Sequence, residues 1–410
     1  MTRRVVVTGM AGVTPFGNNW EEVGAALKRG RNAVVRMEEW DEYKGLRTRL
    51  AAPVEGFEVP GHYTRKQLRS MGRVSRMATV ASELALAQAG LLDHPVLTSG
   101  ETGIAYGSST PSPQSVNAFS MVLQNKVVRQ VNANTYLKMM PHTAAVNVGL
   151  FFGLKGRLIP TSCACASGSQ AIGYAFETIR EGKQKVMVAG GGEELCVTEV
   201  VVFDTMHATS RKNDTPHLSP SPFDADRDGL VIGEGAGTLV LEELEHARER
   251  GAAIHGEVVG FATNCDAAHI TQPNPDTIQV CMESSLEDAG LEPGQIGYIS
   301  AHGTSTHQGD TTESHATHRV FGDRVPVSSL KSYFGHSLGA CGSVEAWLAL
   351  EMMKEDWFAP NVNLSHVDPH CASLDYIRGE GRSMEVEHLM SNNFAFGGVN
   401  TSLIFRRWNP

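Results

Sequence analysis

The sequence predicts an α/β fold built from two similar halves, and three features of the chain support this prediction. Short β-branched runs alternate with longer helical runs, which is typical of strands and helices packed in layers. At roughly 150 residues per domain, 410 residues suffice for two or three domains or for one large pseudo-symmetric one. Each half also carries a glycine-rich segment near its end, at residues 190–192 and 397–398. Together these features indicate a duplicated α/β unit.

The predicted strands are short apolar runs that end at glycine or at turn residues. They lie at residues 5–7, 103–106, 185–189, 238–241, 258–261 and 297–301. The predicted helices carry apolar residues at helical spacing, and three of them end near a glycine. They lie at residues 75–90, 167–182, 277–290 and 344–354. A charged helix at 242–251 is followed by a new strand-and-loop pattern, so we expect two domains, 1–250 and 251–410.

The composition argues against several classes of function. Hydrophobic residues make up 41% and charged residues 20% of the chain, which is typical of a compact globular protein. The net charge of -10 opposes binding of the whole surface to nucleic acid or to an anionic membrane. Seven scattered cysteines indicate reduced thiols rather than a disulfide framework. Neither a signal peptide nor a membrane span is recognisable, so we expect a cytoplasmic protein.

A cysteine-containing segment between a predicted strand and a predicted helix is the first candidate for chemistry. Cys165 directly precedes the helix predicted from residue 167. Free amides and the dipole at a helix amino terminus favour a thiolate, so we expect a lowered pKa and a nucleophile at neutral pH. Cys163 is a second thiol two residues earlier. A small buried cysteine that fills a tight turn is the alternative interpretation.

Two histidines lie beside glycine in loops of the second half, His302 before Gly303 and His336 after Gly335. An imidazole in such a loop can donate to a developing oxyanion or exchange protons near neutral pH. Together with Cys165, the two histidines form a set that can supply a nucleophile and donors for a developing oxyanion.

Four motifs of the chain resemble those of the β-ketoacyl-acyl carrier protein synthases of the I/II type, condensing enzymes of the thiolase superfamily. They are residues 164–167, residues 302–306 with Gly309, Asp310 and Glu313, residues 331–339, and residues 393–400. The resemblance covers essentially the whole chain. It implies a thiolase-like fold in which two pseudo-duplicated halves, each with a mixed five-stranded sheet, stack in alternating helix and sheet layers. It also implies a homodimer that needs no cofactor and no metal.

The resemblance further implies a decarboxylative Claisen condensation between an acyl thioester and malonyl-acyl carrier protein. Cys165 would accept the acyl chain from the carrier. His302 and His336 would assist malonyl decarboxylation and stabilise the enolate, giving a 3-oxoacyl-acyl carrier protein. Fatty-acid synthesis and a related specialised lipid or polyene pathway are both compatible with these motifs.

The remaining motif residues would support this reaction. The backbone amides of Cys165 and Phe396 would form the oxyanion hole, and Phe396 would gate the acyl pocket. Lys331 and Glu313 would pair and keep the histidines in working protonation states. The residues expected to bind the pantetheine arm of the substrate are Thr304, Thr306, Phe394 and Phe396.

A basic stretch lies between residues 60 and 76, which contain no acidic residue. If this stretch is helical, Arg65, Arg69 and Arg73 share one face, with Lys66 beside them. Such a face would suit an acidic helix of acyl carrier protein. An ordinary solvated basic surface is the alternative.

Other functions match parts of the chain. Residues 335–339 fit the G-x-S-x-G elbow of serine hydrolases, with His388 and an upstream aspartate in the required order, although the preceding run is polar. Residues 8–12 are similar to a nicotinamide loop but lack its later glycines. His315 and His318 could start a metal site, yet no third ligand has suitable spacing. A catalytically silent, chain-length-factor-like partner subunit would typically lack the active cysteine.

Overall fold

The computed structural model describes residues 2–129 and 131–409. Its strands are β1 (Val5–Val13), β2 (Val35–Arg36), β3 (Leu50–Ala52), β4 (Thr102–Gly107), β5 (Leu158–Pro160), β6 (Val186–Glu193), β7 (Ile232–Gly233), β8 (Gly235–Glu243), β9 (Gly256–Cys265), β10 (Tyr298–Ser300), β11 (Pro326–Ser328), β12 (Trp357–Phe358), β13 (Asp375–Tyr376), β14 (Arg382–Ser383), β15 (His388–Ala395) and β16 (Val399–Arg406).

The α-helices alternate with these strands. They are α1 (Trp20–Lys28), α2 (Arg65–Leu68), α3 (Arg73–Gln88), α4 (Pro113–Asn125), α5 (Ala133–Met139), α6 (Thr143–Phe152), α7 (Ser167–Arg180), α8 (Val197–Thr205), α9 (Leu244–Glu249), α10 (Pro275–Ala289), α11 (His307–Phe321), α12 (Lys331–Phe334) and α13 (Cys341–Lys354). No helix among the described residues is both long and apolar enough to cross a membrane.

The central sheet repeats one topology twice. Within the described residues its order is β13-β11-β10-β15-β16-β9-β1-β8-β6-β4-β5. From β1 outward, the first half runs antiparallel to β8, antiparallel to β6, then parallel to β4 and β5. From β9 outward, the second half follows the same sequence of directions through β16, β15, β10 and β11. The predicted pair of similar α/β halves is thereby confirmed, and β1 and β9 join them edge to edge.

The two halves enclose a buried pair of helices, α7 and α13. These helices contact each other and strands of the sheet, while α3 and α10 pack on β1 and β9. A Cβ at Gly9 of β1 would meet Ala85 of α3, whereas one at Gly12 would meet Trp347 of α13, so α3 and α13 cover opposite faces of the strand. This arrangement gives the expected alternating helix and sheet layers.

The amino termini of α7 and α13 meet at the centre of the molecule. Each helix follows a short turn that begins at a residue with positive φ, Ala164 at 50° and Leu338 at 42°. A Cβ at Gly168 would lie 2.8 Å from the backbone nitrogen of Ser343, so glycine permits the close approach of the helices. The two turns are thus the same structural feature, repeated in each half.

The four predicted helices correspond to α3, α7, α10 and α13, with ends shifted by a few residues. The strands are mostly longer than predicted because sheet pairing continues through glycine-containing segments, as it does at Gly190 in β6. The assumption that residues 60–76 form one helix is wrong. Helix α2 ends at Leu68, and α3 begins only at Arg73.

Candidate active site

Cys165, His302 and His336 meet in the interior between the two halves. The Sγ atom of Cys165 lies 2.9 Å from Nε2 of His336. Sγ and one ring nitrogen of each histidine all lie within 4.8 Å of one another. The two imidazole rings are nearly perpendicular, with their centroids 5.2 Å apart. The three side chains predicted to act together are therefore in contact, although they are far apart in sequence.

Different elements position these three side chains. Cys165 lies in the turn before α7, and His302 follows β10. His336 follows α12, and its backbone pairs with the first half of the chain. Its N–H donates to the carbonyl of Val231 at 2.6 Å, and its carbonyl accepts from Gly233 at 2.9 Å. The second half thus places His336 by bonding to β7 of the first half.

Glu313 holds the backbone on which His302 lies. Its two carboxylate oxygens accept the backbone N–H groups of His302 and Gly303, each at 2.7 Å. Burial raises the pKa of Glu313 to about 7, and these two hydrogen bonds oppose that rise. Glu313 therefore fixes the histidine loop through main-chain contacts.

The predicted ion pair between Lys331 and Glu313 is wrong. The Nζ atom of Lys331 lies 2.5 Å from Oε1 of Glu345, and both side chains are buried. Asn393 donates to the other Glu345 oxygen at 2.8 Å and lies 3.5 Å from Nδ1 of His302. The sequence did contain a signal for Glu345, because it is the only charged residue in the apolar run 341–350 of α13. Asn393 belongs to a recognised motif, but its role cannot be read from the motif.

Both histidines are neutral at neutral pH. Burial lowers the pKa of His302 and His336 well below the usual value, and the nearby Lys331 ammonium lowers both further. Because the amide of Asn393 donates toward Nδ1 of His302, the ring proton of His302 lies on Nε2. A neutral imidazole held in this way is a hydrogen-bond donor rather than a strong acid.

Burial also raises the pKa of the Cys165 thiol, to about 12. The Lys331 ammonium and the backbone N–H groups of Phe396 and Cys165 oppose this rise but do not cancel it. The expectation that the helix terminus alone yields a thiolate at neutral pH is therefore wrong. The resting pair is a neutral thiol beside a neutral imidazole, and His336 is the group within reach of the thiol proton.

The active-site cavity has a volume of about 300 Å³, and the predicted catalytic and substrate-contacting residues line it, except Lys331. The lining includes Cys165, His302, Glu313, His336, Thr304, Thr306, Phe394 and Phe396. Thr306 also caps α11 by accepting the N–H of Gly309 at 3.2 Å. The Phe396 ring lies 4.9 Å from the Phe203 ring.

Comparison with known proteins agrees with this geometry. The model of the "Beta-ketoacyl synthase, N-terminal domain" family matches residues 2–247, and that of its "C-terminal domain" matches residues 255–365. The chain belongs to the β-ketoacyl synthase family. The synthase is 37% identical to the "3-oxoacyl-[acyl-carrier-protein] synthase 2" of Synechocystis sp., over 99% of its own chain and 98% of that relative.

Solved structures show the same family and fold. A β-ketoacyl synthase from Burkholderia phymatum superimposes with a TM-score of 0.98 at 60% identity, covering 99% of this chain and 100% of the other. A ketosynthase described in complex with its type II polyketide acyl-carrier protein superimposes with a TM-score of 0.88 at 30% identity, covering 100% of both chains. The thiolase-like fold expected of the synthase is confirmed by these neighbours.

The synthase geometry gives no support to the competing sites. Gly335 follows helix α12 rather than a strand, so Ser337 is not on a hydrolase elbow. His315 and His318 each bond a backbone carbonyl, of His370 and Ser373, at 3.0 Å. The two imidazoles are therefore not arranged as a pair of metal ligands.

Cys163 is placed differently from Cys165. Its Sγ lies 2.6 Å from Oε1 of Gln170, and burial raises the pKa of its thiol to about 11. This thiol bonds to the side of α7, whereas the thiol of Cys165 faces His336.

The basic residues of the synthase separate into two groups. Arg65, Lys66 and Arg69 are exposed on and beside α2. Arg73 instead bonds Glu234 through Nε at 2.5 Å and Nη2 at 2.9 Å, and it also donates to the carbonyl of Val54. Glu234 is buried, so Arg73 neutralises an interior carboxylate. The helical spacing that would place Arg73 on one face with Arg65 and Arg69 is interrupted between α2 and α3.

Proposed function

We propose that this synthase transfers an acyl group to Cys165 and condenses it with malonyl-acyl carrier protein, releasing CO₂ and a 3-oxoacyl-acyl carrier protein. The observation that supports this most is the meeting of one thiol, two neutral imidazoles and two backbone N–H groups in one buried cavity. A thiol can hold the acyl group, and the remaining groups are donors for developing negative charge.

In the first half-reaction, Sγ of Cys165 attacks the carbonyl carbon of the acyl thioester. The thiol proton moves to Nε2 of His336, which lies 2.9 Å away. The N–H groups of Cys165 and Phe396 bind the oxyanion, and the carrier thiolate leaves and takes the proton. The products are acyl-Cys165 and free carrier thiol, so atoms and charges balance.

In the second half-reaction, the bond between the carboxylate carbon and the α-carbon of the malonyl group breaks. CO₂ leaves, and the electron pair becomes an enolate whose oxygen accepts hydrogen bonds from Nε2–H of His302 and, once its ring proton has exchanged from Nδ1 to Nε2, from His336. The α-carbon then attacks acyl-Cys165, forms the new carbon–carbon bond and expels the Cys165 thiolate. One proton from solvent restores the thiol. Neutral histidines suit this step because they donate without a full proton transfer.

The acyl group is expected to lie among apolar side chains beside Cys165. Val200, Phe203, Leu230 and Leu338 belong to one buried cluster with Cys165. Phe396 packs against this cluster, which supports a gating role at the boundary between the cluster and the cavity. Burial of each methylene of the chain contributes about 0.8 kcal/mol to binding.

Acyl carrier protein is the proposed donor of both substrates. Arg65, Lys66 and Arg69 form a small exposed basic surface on a chain of net charge -10, which suits an acidic partner. A solved relative is described in complex with its acyl-carrier protein, which supports the same partnership here. Arg73 is excluded from this surface because it binds Glu234.

We also propose a homodimer that forms at the outer edge of the first half. Strand β5 ends the sheet, and its Leu158 is 42% exposed. Leu123 of α4 and Leu150 of α6 are 70% and 67% exposed. An unpaired edge with neighbouring exposed apolar residues favours association with a second copy.

The division into domains 1–250 and 251–410 and a cytoplasmic location remain predictions.

One experiment tests the proposed reaction directly. The purified chain is mixed with an acyl-carrier thioester, and intact and peptide mass spectrometry should find the acyl group on Cys165. Addition of malonyl-carrier protein should then give the 3-oxoacyl product, and Cys165→Ala should give neither. Acylation of Cys163 alone, or product formation by Cys165→Ala, would overturn the assignment.

A further inference from the structure

A buried polar cluster, formed by Thr110, Glu193 and Glu199, adjoins the active site. The Oγ1 atom of Thr110 lies 3.2 Å from Oε1 of Glu193 and 2.6 Å from Oε1 of Glu199. Glu193 is fully buried, and Glu199 is 5% exposed. Two carboxyl groups joined through one hydroxyl are not needed for the reaction described above, so their presence requires another explanation.

Both carboxylate oxygens of Glu193 accept hydrogen bonds. Its Oε2 accepts the backbone N–H groups of Ser109 and Gly339, each at 2.8 Å, and its Oε1 accepts that of Thr110 at 3.3 Å. Backbone N–H groups can only donate, so these contacts favour the ionised form of Glu193. Glu193 ties the turn before α13 to the loop after β4.

The carboxyl group of Glu199 has fewer hydrogen-bond partners than that of Glu193. Its Oε1 bonds to Thr110, but its Oε2 is buried and has no hydrogen-bond partner within residues 2–129 and 131–409. Burial raises the pKa of Glu199 well above its usual range, and neighbouring Glu193 raises it further. Thr110 has a single hydroxyl proton, which it can donate to ionised Glu193, so Oε1 of Glu199 carries the carboxyl proton and donates it to Thr110. Oε2 is then a buried acceptor, and an unused acceptor in the interior is unfavourable unless a donor binds it.

Helix α8 places Glu199 against the proposed acyl site. Glu199 and Phe203 are four residues apart and lie on the same face of the helix. Phe203 lines the catalytic cavity and contacts Phe396, and Val200 and Phe203 share the apolar cluster that contains Cys165. Glu199, with its unused acceptor, is therefore the neighbour on α8 of a residue that lines the cavity.

We propose that Glu199 binds an oxygen atom carried by the acyl group, so that the preferred substrates are acyl or aroyl thioesters with a hydroxyl substituent. The inference rests on the proposed function, because it requires an acyl group on Cys165. A hydroxyl group donates its proton to Oε2, whereas an alkyl chain leaves that acceptor buried and unused. A site built to bond a hydroxyl group discriminates strongly against the analogue that lacks it.

The test compares acylation rates of Cys165 with matched pairs of N-acetylcysteamine thioesters. One series contains saturated chains of increasing length and their terminal hydroxy analogues, and a second contains aroyl thioesters with and without a phenolic hydroxyl. These carrier-free substrates remove any effect of docking. At the chain length that reaches Glu199, the hydroxy analogue should acylate Cys165 on the order of ten- to a hundredfold faster. The series with the larger ratio tells whether the hydroxyl is aliphatic or phenolic.

Three variants assign the preference to the carboxyl group. Glu199→Met keeps the approximate volume and removes both oxygens, so the preference for the hydroxy analogue should vanish. Glu199→Gln keeps one oxygen acceptor at this position, with an amide N–H to face Thr110, and should retain most of the preference. Val201→Met introduces the same side chain on the exposed side of α8 and should leave the ratio unchanged.

The outcomes separate the inference from the proposed function. If plain chains acylate Cys165 as fast as their hydroxy analogues in the wild type at every length, the inference is wrong while the proposed function stands. This comparison needs no variant, so it decides even if Glu199→Met fails to fold. If no thioester of either kind acylates Cys165, the proposed function fails, and the inference fails with it.

Discussion

Replacing Glu345 by Gln should destabilise the protein strongly, because it removes the only negative charge bonded to the buried Lys331 in the part of the chain that the structure describes. The side chains of Lys331 and Glu345 are 1% and 4% exposed, so the ammonium has little access to water. Breaking such a buried pair costs about 3–5 kcal/mol. A glutamine also has one oxygen for two donors, Lys331 and Asn393, so one donor loses its bond at a further cost of about 1–3 kcal/mol.

Denaturant unfolding of five proteins measures this effect: wild type, Glu345→Gln, Glu345→Met, Lys331→Met and the double variant Lys331→Met with Glu345→Met, the last three forming a double-mutant cycle with the wild type. Removing both charges leaves an apolar pair, so the double variant should be more stable than Glu345→Gln. The cycle should give a large coupling energy for Lys331 with Glu345. A parallel cycle that combines Lys331→Met with Glu313→Gln is the control and should give a smaller coupling energy. Equal coupling in both cycles would refute the pairing of Lys331 with Glu345.

Three further predictions concern activity. His302→Ala and His336→Ala should each lower condensation on the order of a hundredfold or more, with a smaller loss in acylation of Cys165, because only decarboxylation needs both donors. Single-turnover assays of each half-reaction measure the two losses. Full condensation activity in either variant would contradict the prediction. Since the pKa of both histidines is lowered, they become charged only well below pH 6.5 and should cause no decline in condensation from about pH 8 down to that value, whereas Glu313, with its pKa raised to about 7, titrates within this range; a decline in kcat that is centred near pH 6.5 and persists in Glu313→Gln would show ordinary histidines. Arg65→Glu with Arg69→Glu should raise KM for carrier-bound substrates but not for small thioesters. Salt should reduce the difference in KM between variant and wild type, because the Debye length is about 8 Å at physiological ionic strength. Arg73→Glu should instead lower stability, and equal losses with both substrate types would exclude docking.

The sequence predicts those parts of the site that depend on local chain geometry. Cys165 precedes a helix, and His302 follows a strand, so the spacing of apolar residues along the chain already places each of them at the end of an element. The duplicated fold was predictable for the same reason, since strand and helix periodicities repeat on both sides of residue 250. These inferences need only the alternation of side chains within each element.

The side-chain partners of the charged residues could not be predicted, because they depend on contacts between different helices, strands and loops. The motif of Lys331, residues 331–339, contains no carboxylate, and only the packing of α13 brings Glu345 to it. Arg73 looks like its neighbours in a basic stretch, yet folding places it against Glu234. The pKa of Cys165 was expected to fall, whereas its burial, which the motif does not reveal, raises it.

The backbone pairing of His336 with Val231 and Gly233 makes catalysis sensitive to the fit between the halves. Each half carries its own helices and strands, so a small separation of the halves would leave most of the secondary structure in place. It would nevertheless move Nε2 away from Sγ, and general acid–base catalysis depends on hydrogen-bond reach between the two atoms. Thermal inactivation should therefore precede the loss of helical circular dichroism, and compounds that bridge the two halves across the cavity should delay it.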